Sequence, residues 1–168
     1  MSEPTAAWEA RLAALWASLD ELPEGDFRTR MDALTAELGD DSAVAAFERA
    51  GALDSTGRPD RAVPLYREAR RLGLTGIRRR RAVIQLASSL RNLGELPEAL
   101  ALLQAERQRG PDELDDAVVA CLALVLADFG REREALSMAL AALAPHLPRY
   151  QRSMGNYARA LVEEPPRG

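Results

Sequence analysis

The groups that could do chemistry in this chain are few and widely spaced. Cys121 is its single cysteine and sits among Val119, Leu122 and Leu124. It reads as a buried structural thiol, because no neighbouring cation lowers its pKa toward the reactive thiolate. His146 is the single histidine, in the connector APHLPR. With no second histidine and no cysteine cluster, it cannot complete a metal site. A Ser-His-Asp or Cys-His relay would have to rest on it alone. The 26 carboxylates are spread over charged stretches that read as solvated helix faces. The segment GLTG (73–76) reads as a helix stop, not a phosphate cradle. These residues predict no catalytic centre, no metal and no cofactor.

One charged cluster stands out. Arg78–Arg81 places four cations at the start of a helix, where they oppose the macrodipole at about 0.3–1 kcal/mol each if exposed and unpaired. Two readings remain open for this run. It pairs with acids on the preceding hairpin, such as Glu48 or Asp54, or it meets an anionic ligand or partner. Nucleic acid is disfavoured, because aromatic residues are not interleaved with the arginines and the net charge is −4.

The elements that must carry these residues are helical and repeat. Ala50, Leu53, Gly57 and Ala62 recur as Ala87, Leu90, Gly94 and Ala99, then as Ala123, Leu126, Gly130 and Ala135, at offsets of 37 and 36 residues. A fixed period in this range points to stacked repeats, each burying its apolar face against its neighbours. Ala87, Leu90 and Gly94 lie at i, i+3 and i+7 of one helix. Ala99 and Leu103 begin a second, and the small alanines let the two approach closely. The glycines sit at the turn, where a left-handed backbone is cheap only without a side chain. Pro59 and Pro97 open the following helices, where a missing N–H costs little. Pro64, further inside its helix, should remove a hydrogen bond and bend it.

A small residue at column 8, a large apolar one at 11, Gly at 15 and Ala at 20 resemble the tetratricopeptide repeat, whose period is 34 residues. The chain, over roughly 41–161, is also similar to a bacterial group of small single-domain tetratricopeptide-repeat proteins. It departs from the pattern at column 4, which reads Ala46, Val83 and Val119, and at column 7, where Arg49 stands in place of an apolar residue. The resemblance implies an all-α, right-handed superhelical stack of helix hairpins. It also implies a concave groove lined by Phe47, Asp54 and Ser55, then Arg81, Ile84, Ser88, Arg91 and Asn92, then Ala120, Leu124 and Asp128, with Gln85 at its flank. Arg91 either pairs with Asp54 or Asp128 and tightens the stack, or contacts a bound partner. The carboxylate-clamp pattern of chaperone-tail binders is missing, because Phe47 and Gly51 occupy its Lys and Asn columns.

The rest of the chain reads as caps. Trp8, Leu12, Leu15, Trp16 and Leu19, then Phe27, Met31, Leu34 and Leu38, form two amphipathic stripes. The organisation expected is a capping helix pair at 1–40 and repeats at about 41–75, 76–111 and 112–146. A capping helix at 147–164 and a tail at 165–168 complete one compact domain. In the last helix Tyr150, Met154, Tyr157 and Leu161 share a face that would cover the final repeat. Asp41 and Asp112 are candidate N-caps, and Gly73 and Gly110 candidate stops. The segment 117–129 is apolar nearly all round, so it is either sandwiched between elements or partly in a dimer interface. It is too short to span a membrane, which takes about 20 residues.

At 168 residues, with all 22 basic residues arginine, nothing in the totals favours nucleic acid or an acidic membrane. The opening MSEPTAAWEA lacks the basic and apolar stretches of a signal peptide, so a cytoplasmic protein is expected. The function expected is non-catalytic protein–protein interaction, as a homodimer. The alternative is a regulatory module that binds a peptide or anionic ligand in its groove.

Overall fold

Several turns between helices rest on a backbone conformation that side chains resist. Gly57 and Gly130 have φ of 71° and 73° in the computed structural model, which describes residues 4–163, and Gly94 shares the conformation at 82°. A left-handed residue with a Cβ costs about 1–2 kcal/mol, so the repeating glycine is set by the turn. Gly73 and Gly110 also have positive φ, as helix stops should.

The chain divides into two compact units, Met1–Leu93 and Gly94–Gly168. The first contains α1 (Ala6–Ala17), α2 (Glu24–Ala36), α3 (Ala43–Asp54), α4 (Pro59–Arg71) and α5 (Gly76–Asn92). The second contains α6 (Leu96–Arg107), α7 (Asp115–Asp128), α8 (Glu132–Leu143), a short 3-10 turn (Ala144–His146) and α9 (Gln151–Glu163). No strand occurs among the described residues, and successive helices within each unit pack on one another. The expected tail, 165–168, lies outside the described residues.

In the first unit, Phe27, Met31, Phe47, Tyr66 and Leu86 are fully buried. The Trp8 indole donates to the Leu34 carbonyl at 3.0 Å, satisfying its one polar atom. Trp16 tilts against Phe27 with ring centroids 5.3 Å apart. Gly51 lets the Trp16 ring lie close to α3, since a Cβ there would stand 3.2 Å from it and push the ring back by a few tenths of an ångström. In the second unit, Leu103, Val118, Leu122, Val125 and Leu126 are buried. α9 is held to α8 through Ser137, whose hydroxyl donates to the Ala158 carbonyl at 2.6 Å.

Several local expectations need correction. Ser42, not Asp41, caps α3: its hydroxyl accepts from the Ala45 N–H at 3.2 Å. Asp112 accepts from Leu114 N–H at 2.8 Å but precedes a helix that begins only at Asp115, so it shapes the approach turn. Of the two readings of 117–129, the full sandwich is set aside, since Leu124 and Phe129 are exposed. α9 packs through the small Ala158, which allows close approach, while Tyr150 and Tyr157 point to solvent. α4 continues through Pro64, whose ring is exposed.

Candidate functional site

The first arginine of the run is a structural lock. Glu48, on α3, is only 2% exposed, and a carboxylate so buried must be paired. It accepts from the Trp16 indole at 2.9 Å and from Arg78 Nε at 3.1 Å. The two terminal nitrogens of Arg78 reach α1, donating to both oxygens of Glu9 at 2.9 and 2.6 Å. One guanidinium therefore ties α1, α3 and α5 together. Pairing of the run with Glu48 was legible in the sequence. The part played by Glu9 was not, because α1 lies outside the repeat columns.

The last arginine of the run does something different. Arg81 lies over the Phe47 ring, 5.3 Å from its centroid, a cation–π arrangement. Phe47 packs against Tyr66 with centroids 6.2 Å apart. The Tyr66 hydroxyl donates to Asp54 at 3.3 Å. Within the first unit the fold thus gathers Phe47, Asp54 and Arg81 at one corner of α3, α4 and α5. Phe47 is 1% exposed, however, so it supports this corner from beneath. Gln85, Ser88 and Arg91 follow along α5, half-buried, and Asn92 ends it exposed. Asp128 belongs to the second unit, at the exposed end of α7.

Burial pushes the Asp54 carboxyl above its ordinary pKa, partly offset by the hydroxyls of Ser89 and Tyr66. The Tyr66 phenol is raised as well, first by burial and then by the Asp54 charge. A carboxyl raised on folding binds its proton more tightly in the native state. Its contribution to stability is full below the unfolded value, about pH 3.9, and is lost as pH rises through the native value. Asp54→Asn should therefore remove one stability loss that wild type suffers above about pH 4. Melting temperatures of both proteins between pH 3 and 7 check this: the difference should grow in favour of the variant as pH rises.

The second unit carries an apolar cleft of about 710 Å³ lined by Leu147, Pro148, Arg149, Tyr150, Ser153, Met154 and Tyr157. Tyr150 is 74% and Tyr157 65% exposed. The sequence signal for this surface was a helix with apolar residues on two faces, of which α8 could cover one.

Cys121 is half-buried on α7. His146 approaches Asp116 at 2.8 Å, both exposed. Among the described residues no three His, Cys, Asp or Glu side chains gather as a metal site would need. No described helix is long and apolar enough to cross a membrane. The family model described as tetratrico peptide repeat matches residues 43–161. No curated protein and no solved structure matches the chain.

Proposed function

The chain belongs to the tetratricopeptide repeat family, and from that premise we propose a non-catalytic cytoplasmic adaptor that pairs with a second copy of itself and binds a protein or peptide partner. The observation that carries the pairing is the apolar cleft beside α9, with its two exposed tyrosines. Aromatic side chains with a polar tip are favoured at interfaces, where they bury large area at low entropic cost. A specific dimer would bury more than about 1,000 Å² in total.

Light scattering tests this. Wild type at tens of micromolar should have a mass of about 37 kDa, twice the 18.3 kDa chain. Tyr157→Glu, which places a charge in the cleft, should give the monomer mass with an unchanged circular dichroism spectrum. Wild type that stays monomeric at high micromolar concentration would sink the self-association.

A second reading, a sensor for a peptide or anionic ligand, draws on α5. The side-chain oxygen of Gln85 is buried and accepts no hydrogen bond among the described residues, leaving one acceptor of α5 unused. Arg81, Arg91 and Asn92 would hold the same ligand. Partner capture through this surface should survive Tyr157→Glu, which separates it from binding that depends on the dimer.

A further inference from the structure

A polar cleft of about 470 Å³ lies within the first unit, where α2, α3 and α4 meet. Its lining includes Gly25, Arg28, Asp32, Arg49, Arg61 and Leu65. Two of the arginines break this chain's own repeat pattern. The positions equivalent to Arg49 in the second and third repeats are Leu86 and Leu122, both buried. Those equivalent to Arg61 are Glu98 and Glu134. In the first repeat alone, an apolar position and an acidic one have both become arginine, and both line one cleft.

These arginines are poorly used by the fold. Arg28 Nη1 is buried without a hydrogen-bond partner; Glu24, its ion-pair partner at 3.6 Å, is too far to accept one. Arg49 spends only its Nε, on the Ala45 carbonyl at 3.4 Å. Arg61 takes part in no ion pair among the described residues. Three guanidinium groups facing one space repel each other unless an anion joins them. The fork of a guanidinium matches two oxygens of a phosphate or carboxylate.

We propose that this cleft binds a phosphate monoester. The lining itself carries three positive charges and one negative, Asp32, with Glu24 paired to Arg28 from outside it. That excess of two matches a phosphomonoester, at about −1.5 to −2 near neutral pH, better than a carboxylate or a phosphodiester. The volume falls within the range of small-ligand sites. Asp32 can accept from a hydroxyl or amine beside the phosphate, and Leu65 offers an apolar wall to its carbon skeleton. The phosphate comes from a small molecule or from a phosphorylated side chain, the two sharing this recognition chemistry.

Isothermal titration calorimetry of the full chain at low ionic strength tests the proposal. The probes are inorganic phosphate, ribose 5-phosphate and a phosphoserine pentapeptide. At least one should bind with one site per chain, and dimethyl phosphate, a monoanion, about ten-fold more weakly or worse. Arg49→Gln and Arg61→Gln should each weaken the best probe by about ten-fold or more, as loss of a charge-assisted pair does. Arg49→Lys keeps the charge without the fork and should fall between. Arg159→Gln, an exposed residue of α9, should bind as wild type does. Arg61 is exposed, so its variant should fold even if the Arg49 variants do not. Tighter binding of ribose 5-phosphate assigns a small-molecule source, and tighter binding of the peptide a phosphorylated side chain. The site is refuted if no probe binds, if dimethyl phosphate binds equally, or if Arg61→Gln is indistinguishable from wild type.

Discussion

Arg78→Ala should destabilise the first unit by about 3–5 kcal/mol, the cost of leaving a buried charge without its partner. Glu48 is 2% exposed and would retain only the Trp16 indole as a donor. The Glu9 carboxylate would lose both of its hydrogen bonds to Arg78, but it is partly solvated and loses less. Urea unfolding followed by tryptophan fluorescence reads this directly, since both tryptophans lie in the first unit. Combining Arg78→Ala with Glu48→Gln should recover a large part of the loss, because the neutral amide still accepts from Trp16 without needing a cation. A double variant no more stable than Arg78→Ala would show that the damage comes from lost packing of the arginine stem. An Arg78→Ala midpoint equal to wild type would remove the lock altogether.

Phe47→Ala should cost a similar amount, about 3–5 kcal/mol, as truncation of a buried aromatic does. The ring is 1% exposed, lies 6.2 Å from the Tyr66 centroid and carries the Arg81 guanidinium above it. A residue that merely lined an open groove would lose far less, within about 0.5 kcal/mol for most surface substitutions. The urea midpoint distinguishes the two outcomes. A small loss of stability joined to a large loss of partner binding would return Phe47 to the groove.

Phe47 also shows where sequence reasoning stops. The repeat columns fix spacing along a helix, and through spacing they made the hairpins, the turn glycines and most helix limits legible. They do not state how deeply a given column sits when a neighbour is unusual. Here Gly51 admits the Trp16 ring against α3, and Tyr66 fills the space beside Phe47. Burial at this corner therefore depends on side chains from α1 and α4. The same limit hid the arginine cleft. Arg49 was visible as a departure from the pattern, but Arg28 belongs to α2, which has no repeat columns to place it. Asp54 and Arg81 were legible as neighbouring polar positions because both lie on repeat columns, of α3 and α5. The face of α9 was misread for another reason: Ala158 carries little hydrophobic signal, yet its small size is what lets α8 and α9 close together.

The Arg78 lock has a consequence for the order in which the protein can be completed. Glu9 and Arg78 are 69 residues apart in sequence, and Glu48 and Arg78 are 30 apart. A chain emerging from the ribosome presents α1 through α4 before the guanidinium that neutralises Glu48 exists outside the tunnel. Until then Glu48 has the Trp16 indole as a donor but not the guanidinium that completes its pairing. The contacts that tie α1 and α3 together through Arg78 are therefore complete only once the beginning of α5 is present.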